Sequence, residues 1–320
     1  MKAAIRTQYG PPEVISIEDV ETPVPGNQEI LIRVHAATVN RTDCSILWGK
    51  PAVIKLFTGF SRPRFPTPGT DFAGEVEAVG KKVSTFRVGD RVWGFNDTGL
   101  ASHAQYLTIA ESAAVLKMPA HVTYAQAAAS AEGGHYALNF INKVPLRAGQ
   151  KVLVNGASGA IGSAAVQLLK HLGMYVVAVC GTKNVAPVAA LGADRVIDYT
   201  QTDFTDQPEK YDFVFDAVGK STFARCRPLL QPGGIYISSE LGPNAENLYL
   251  PLLTKLRGGQ RVIFPFPSNI KGSLLFMQNL LEEGKFKPLI DRSYPLEEIR
   301  EAYAYAASGQ KTGNVWLTFH

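Results

Sequence analysis

Between residues 151 and 183 the chain sets out a buried strand, a glycine-rich turn, a helix and a second strand, and this order constrains the fold more than any other segment. Val152-Leu153-Val154-Asn155 is a short, continuously apolar run of the kind found in parallel strands covered on both faces. Gly156-Ala157-Ser158-Gly159-Ala160-Ile161-Gly162 follows, then a predicted helix from Ser163 to Leu172 closed by Gly173, and a strand over Tyr175–Val179. A helix N-terminus offers unpaired N–H groups and the positive end of a dipole, which suits the doubly negative pyrophosphate of a dinucleotide. Ser158, Gly159, Ala160, Ile161 and Gly162 are therefore the expected phosphate-binding residues. Gly159 lets the backbone approach the phosphates and Gly162 lets helix and strand pack. Ala157 replaces the first glycine of the usual fingerprint. A glycine-rich connection in an unrelated α/β sheet is the alternative, and the second strand at the right distance argues against it.

About 20 residues past such a turn, an NAD site carries an acid that accepts from the ribose 2′-hydroxyl. Here the segment reads Cys180-Gly181-Thr182-Lys183-Asn184, with no carboxylate to repel a 2′-phosphate. The expected cofactor is NADPH, with Gly181, Thr182 and Lys183 around the extra phosphate. A solvated lysine at a helix start is the alternative for Lys183. Ligands of doubly wound sheets sit beyond the carboxyl ends of the strands, so Tyr199 is expected beside the adenine, with a surface tyrosine capping the strand as the alternative, and Val218-Gly219 along the cofactor chain.

The texture of the chain changes near residue 123. Before it, short runs such as Ile30–Val34, Ala73–Val79 and Arg91–Gly94 are separated by Pro, Gly, Asn and Asp, which reads as a β-rich, barrel-like domain. After it, an Ala-rich helix over Thr123–Asn142 leads into strands alternating with helices. Predicted strands are Val152–Asn155, Tyr175–Val179, Arg195–Asp198, Phe213–Asp216, Gly234–Ser238 and Val262–Phe264. Beyond them are expected a helix over Ser273–Glu283, a strand near Pro288–Tyr294, a helix over Leu296–Ser308 and a last strand, Asn314–Phe319. The expected class is α/β: a β-rich domain from residues 1–122 and 268–320 around a doubly wound domain at 123–267. The stretch from Gly49 to Pro68, with its prolines and Phe57, Phe60 and Phe65, reads as a long loop or lid.

Composition narrows the partners. A net charge of +4 from 32 basic residues, with no basic run longer than Lys81-Lys82, excludes the charged stripe that nucleic acid requires and leaves a small anionic ligand. Three scattered cysteines, Cys44, Cys180 and Cys226, suggest neither a disulfide framework nor a cysteine-rich zinc site. No apolar stretch approaches the ~18 residues of a membrane span, so a soluble, cytoplasmic protein without a membrane partner is expected.

Read together, these segments resemble the medium-chain dehydrogenase/reductase superfamily, and within it the zinc-free quinone oxidoreductase branch. The resemblance rests on Met1-Lys2-Ala3, Gly10–Val14, Pro23-Val24-Pro25, Val34–Asp43, Pro68–Gly74, Val88–Val92 and the glycine turn, and it spans nearly the whole chain. It implies a GroES-like catalytic domain built from both chain ends, a Rossmann domain inserted between them, and a cleft where nicotinamide meets substrate. Zinc-dependent members place a Cys where Asn40 stands and a His where Thr70 stands, and they carry a four-Cys lobe that residues 90–120 lack. A catalytic zinc needs about three Cys, His or carboxylate ligands, so no metal is expected.

Hydride chemistry without a Lewis acid suits a quinone or an α,β-unsaturated carbonyl compound, whose developing oxyanion a few hydrogen-bond donors can stabilise. The resemblance makes Asn40 the first catalytic candidate, with a turn-capping Asn as the alternative; Asp43 reads as a helix cap. Where similar enzymes carry a Thr near the nicotinamide, this chain reads Glu132-Gly133-Gly134-His135-Tyr136. His135 is thereby a candidate proton donor titrating near neutrality, with Tyr136 beside it; a packed histidine is the alternative. Ser239 and Asn314 complete the expected cofactor set. Asn40, Trp48, Phe57, Phe264 and Phe266 are the expected substrate-pocket residues. The strand through Val262-Ile263-Phe264 pairs across a two-fold axis in the resemblance, implying a homodimer. A zinc-independent alcohol or aldehyde reductase, and a low-turnover NADPH-binding sensor or structural protein, are the competing functions.

Overall fold

The computed structural model describes residues 1–319. In chain order the strands and helices are β1 (Lys2–Ile5), β2 (Ser16–Asp19), β3 (Glu29–Val39), α1 (Arg41–Trp48), α2 (Lys55–Thr58), β4 (Asp71–Val79), β5 (Arg91–Phe95), β6 (Tyr106–Ala110), β7 (Val115–Lys117) and α3 (Tyr124–Ile141). There follow β8 (Lys151–Asn155), α4 (Ala160–His171), β9 (Tyr175–Cys180), α5 (Val185–Ala189), β10 (Arg195–Asp198), β11 (Tyr211–Asp216), α6 (Phe223–Cys226), β12 (Leu230–Ser238), α7 (Glu246–Arg257) and β13 (Arg261–Ile263). The chain closes with α8 (Ile270–Glu282), β14 (Ile290–Pro295), α9 (Ile299–Ala307) and β15 (Asn314–Thr318). It forms two compact units, Met1–Glu132 with Asn269–His320, and Gly133–Ser268.

The first unit is built on a sheet in the order β14-β15-β3-β4-β5-β7, with β6 also pairing β3. The long strand β3 shares its length among three antiparallel partners, β4, β6 and β15. Ile30, Ile32, Val34, Phe72, Val76, Val92 and Leu107 fill one core. Val39, Leu47, Leu296, Ile299, Tyr303, Val315 and Leu317 fill another, which joins α1 and α9 to the end of β3. Because β15 is the neighbour of β3, the carboxyl-terminal return is part of this unit and not an appendage.

The second unit is a six-stranded, wholly parallel sheet in the order β10-β9-β8-β11-β12-β13. Numbered within the unit this is the 3-2-1-4-5-6 order of dinucleotide-binding folds, whose strand order reverses between β8 and β11. Val177, Val179, Val214, Leu230 and Tyr236 lie in its core. Mixed α/β architecture with a GroES-like and a Rossmann-type unit is what the sequence predicts.

Several boundaries differ from the predicted ones for identifiable reasons. Helix α4 begins at Ala160, not Ser163, with Gly159 as its N-cap, so three of the expected phosphate-binding residues lie inside its first turn. Strand β12 starts at Leu230, not Gly234, because Leu230 already pairs with Tyr211 ahead of a register irregularity that the Pro-Gly-Gly run disguises as a turn. The two compact units part within α3, between Glu132 and Gly133; the change of texture near residue 123 marks the start of that helix. Residues 49–68 hold a 3₁₀ turn, Ala52–Ile54, and the single helical turn α2. Among the described residues no helix is long and apolar enough to cross a membrane.

Candidate active site

In the second unit, Asn155 and Asp216 end the neighbouring strands β8 and β11, where the strand order reverses. Asp216 is fully buried and surrounded by donors: on Oδ1 the Asn155 amide and the Gly219 N–H, each at 3.0 Å, and on Oδ2 the Ser221 N–H at 3.2 Å and the Tyr236 hydroxyl at 2.9 Å. These bonds fix the Val218-Gly219 turn, and Val218 packs against Gly156. The two turns expected to carry a dinucleotide therefore lie side by side. The half-buried Ser239 joins them through its N–H on the Asp216 carbonyl, at 3.2 Å.

The glycines of the first turn have opposite reasons. A Cβ at Gly162 would lie 2.2 Å from the Gly156 carbonyl oxygen, so no side chain fits between helix and turn. A Cβ at Gly159 would meet only that same oxygen, at 3.5 Å, an ordinary contact. Internal packing does not require glycine at 159; the bare backbone instead leaves the helix N-terminus open to a ligand. Residues 158–162 thus fit a pyrophosphate, held by N–H groups that have no acceptor within the helix.

At the end of β9, Thr182 donates its hydroxyl to Asp198 Oδ2 at 2.6 Å and lies 2.7 Å from the Thr200 hydroxyl. Asp198, held below the usual carboxylate range first by the Thr182 hydroxyl and then by Thr200, brings to this turn a carboxylate that the local sequence of β9 does not show. Thr182 is therefore engaged by Asp198, contrary to its expected role as a donor to phosphate. Lys183 lies exposed on the same turn. The exposed Tyr199 brings its hydroxyl to 3.3 Å from where a Cβ on Gly181 would stand, placing its ring beside the end of β9.

His135 and Tyr136 lie on α3 with ring centroids 5.3 Å apart. His135 is fully buried, its Nε2 lies 2.9 Å from Asn139 Nδ2, and burial pushes it down to about 4. It is a neutral imidazole at pH 7, which corrects the expectation of a side chain titrating near neutrality. Phe264 and Phe266 stack edge to face at 4.7 Å just beyond β13, and Phe266 is exposed.

The first unit contains a buried polar cluster at the end of β3. The β3–β15 register pairs Val39 with Val315, which brings Asn314 opposite Asn40. Asn40 spends both amide hydrogens inside the protein, on Thr38 Oγ1 at 2.8 Å and Asn314 Oδ1 at 3.1 Å. Its Oδ1 accepts from the Lys311 ammonium at 2.8 Å, which also donates to the Gly313 carbonyl. An ammonium has three N–H bonds, and among the described residues no acceptor takes the third. Asp43 accepts the Asn40 N–H at 2.9 Å, closing the first turn of α1 as its capping role requires, and accepts the Thr70 hydroxyl at 3.1 Å. Asp71 accepts both the N–H and the hydroxyl of Thr38, while Thr42 donates to Glu132 Oε1 at 2.6 Å and Glu132 Oε2 is buried without a partner.

Burial is the leading cause of every shift in this cluster. It raises Asp43 well above the carboxylate range, with the charges of Glu132 and Asp71 adding to it; it raises Glu132, and lifts Asp71 to about 7. It lowers Lys311 to about 8 against the opposing charge of Glu132. The site's available cationic donor is thus Lys311, which the sequence reading missed, and Asn40 holds it in place. Asn314, expected among the cofactor residues, is bonded to Asn40 and to the Leu289 carbonyl. Trp48 packs on the core beneath α1, and Phe57 is 62% exposed.

The donor set does not fit zinc. An amide and a hydroxyl stand at positions 40 and 70, an ammonium occupies the amide oxygen, and among the described residues no three His, Cys, Asp or Glu side chains are grouped to hold a metal ion.

Units of these two kinds on one chain define an oxidoreductase that binds a nicotinamide cofactor. Residues 26–136 match the alcohol dehydrogenase GroES-like domain and residues 191–317 the family described as zinc-binding dehydrogenase. A chloroplast envelope quinone oxidoreductase homolog of Arabidopsis thaliana is 33% identical over 314 residues, covering 93% of each chain. The chloroplastic NADPH-dependent alkenal/one oxidoreductase of the same plant is 29% identical over 329 residues, covering 98% of this chain and 78% of the relative. The solved structure of the quinone oxidoreductase from Coxiella burnetii superposes with a TM-score of 0.88 at 28% identity, covering 100% of this chain and 99% of its own. The chain belongs to the medium-chain dehydrogenase/reductase superfamily, in its zinc-free quinone oxidoreductase branch.

Proposed function

We propose that this protein is an NADPH-dependent, zinc-independent reductase of quinones or α,β-unsaturated carbonyl compounds. The observation that carries the reading is Lys311: a half-buried ammonium held on Asn40 where zinc-dependent relatives hold their metal, with one N–H bond left to offer. A reduced nicotinamide dinucleotide, its pyrophosphate held by residues 158–162 and its chain passing 218–219, would supply the hydride. Negative charge then develops on the substrate's carbonyl oxygen, and a preoriented cationic donor stabilises it. Lys311 offers that oxygen a charge-assisted hydrogen bond, and near pH 8 its Nζ can release a proton to the reduced product and regain one from water. Asn40 and Gly313 fix the direction of the donor, Thr38 and Asn314 fix Asn40, and Asp71 fixes Thr38. An isolated ketone, with no conjugated carbon to accept the hydride, gains less from one hydrogen bond than from a Lewis acid.

NADPH rather than NADH is supported by Lys183 and by the lack of an acid at the end of β9 itself, with Asp198 opposing. The printed name of the alkenal/one relative points the same way. Strand β13 forms one edge of its sheet, and an unpaired edge is a template for pairing with another chain; pairing there with a second copy would give the homodimer that the family resemblance implies. Free, buried Cys44, Cys180 and Cys226 accord with a reducing compartment and hence the cytoplasm. The test is a screen of NADPH oxidation against quinones, alkenals and simple aldehydes in the presence of a chelator. Conjugated substrates should be turned over at undiminished rate; turnover of aliphatic aldehydes alone, or loss of activity to the chelator, would refute the reading.

A further inference from the structure

Scattered exposed apolar residues are ordinary in folded proteins, but a concentration of them beside charges of one sign is not. Between Gly49 and Pro66 the chain exposes Val53, Leu56, Phe57, Phe60 and Phe65, with Phe60 at 81% and Leu56 at 69%. The same stretch carries Lys50, Lys55, Arg62 and Arg64, and no acid occurs from Cys44 to Thr70. The apolar side chains with Lys50, Arg62 and Arg64 are exposed, while Lys55 is half-buried with its ammonium over the Tyr9 ring, and the backbone beneath them is anchored. Thr58 is buried, the Tyr9 hydroxyl bonds Thr58 Oγ1 at 2.9 Å and the Gly59 carbonyl at 2.5 Å, and the Arg64 N–H returns to the Thr58 carbonyl at 2.6 Å. A Cβ at Gly59 would stand 2.1 Å from the Arg62 carbonyl oxygen, so the turn that presents Phe60 is tightly closed.

From this juxtaposition of outward aromatic and aliphatic side chains with four cations we propose that the 50–65 segment is a docking surface for an anionic lipid bilayer. Aromatic and leucine side chains enter the boundary between headgroups and acyl chains, while lysine and arginine meet lipid phosphates. The cations exclude a basic partner, and the absence of acids means that no charge in the segment repels the membrane. The surface adsorbs the protein without a spanning helix, and it departs from the sequence expectation of no membrane partner. It stands apart from the reductase reading, since adsorption requires no turnover.

The experiment is flotation of the full chain with vesicles of phosphatidylcholine alone or of phosphatidylcholine with phosphatidylglycerol, at low and high salt. The wild type should float with the anionic vesicles only, and salt should weaken the association. Leu56→Ser with Phe60→Ser should lower partitioning about tenfold or more, and Arg62→Glu with Arg64→Glu should lower it at least as far. Both variants should keep the wild-type melting temperature. Equal flotation with neutral and anionic vesicles, or wild-type flotation of both variants, would overturn the proposal. So would variants that change oligomeric state or the KM for substrate in a protein that never floats, since the segment would then be a contact between copies or a lid.

Discussion

The Lys311 ammonium lies 2.8 Å from Oδ1 of Asn40, and the two residues are 271 positions apart in the chain. The pairing exists because β15 runs antiparallel to β3 with Val315 against Val39, so the last strand delivers its flanking residues to the end of a strand formed near the start. Once Asn40 has committed both amide hydrogens to Thr38 and Asn314, it orients the Lys311 ammonium and has no N–H of its own left for a ligand.

Replacing Lys311 with Met should therefore lower kcat about 10²-fold at pH 7, within the range general acids contribute. The KM for NADPH should stay within error. Burial lowers Lys311 to about 8, so the wild type holds the working proton below that pH and loses it above; kcat should fall as pH rises through about 8, and the variant should show no such limb. His135→Gln, at a side chain already neutral at pH 7, should leave the limb in place. An unchanged kcat and limb in Lys311→Met would remove Lys311 from the chemistry.

Much of this fold was legible because the signals are local. The strand, glycine turn and helix at 152–172 are contiguous, and the family resemblance, with Asn40 and Thr70 standing where zinc-dependent members carry Cys and His, tells against zinc. Lys311 was not legible: nothing in Gln310-Lys311-Thr312-Gly313 distinguishes it from a solvated loop lysine until β15 is set beside β3. For His135 the packed alternative is the one observed, beside Asn139, and the reason is related, since a histidine's burial cannot be read from its neighbours in sequence. Thr182 looked like a free donor because its partner, Asp198, ends the next strand of the sheet.

That partner yields a prediction about cofactor choice. Lys183→Ala should raise the KM for NADPH about tenfold while moving that for NADH little, because a charge-assisted bond to the 2′-phosphate is lost. Asp198→Asn should act in the opposite sense, improving NADPH relative to NADH by removing a negative charge beside Thr182. Steady-state kinetics with both cofactors decides; equal effects of Lys183→Ala on the two would sink the assignment.

Gly162→Ala places a methyl group against the Gly156 carbonyl, 2.2 Å from its ideal Cβ position. Overpacking of this kind costs about 1–3 kcal/mol, so the melting temperature should drop by several degrees and NADPH affinity should fall with it. Gly159→Ala, which meets only an ordinary contact, should leave the melting temperature near wild type yet still weaken the cofactor. If Gly159→Ala binds NADPH as tightly as wild type, the open helix N-terminus is not the phosphate site.

Asp71 carries a pH signature in stability. Burial raises its folded-state value from 3.8 to about 7. Between these values the folded chain retains a proton that the unfolded chain has lost, so stability from this group is present below about pH 4 and is lost as pH rises toward 7. Asp71→Asn, which keeps an acceptor oxygen for Thr38, should flatten that decline. Urea unfolding midpoints at about pH 4 and about pH 7 test it: an identical pH slope in both proteins would show that Asp71 is not held protonated.

We propose that hydride passes from NADPH to a conjugated acceptor without a metal, with Lys311 donating a hydrogen bond to the acceptor's carbonyl oxygen. The most direct test is NADPH oxidation by metal-stripped protein with an alkenal or a quinone, compared between wild type and Lys311→Met. Full wild-type turnover is expected after chelation, and about 10² less in the variant. Activity that vanishes with the metal and returns on adding zinc, or a variant as fast as wild type, would contradict it.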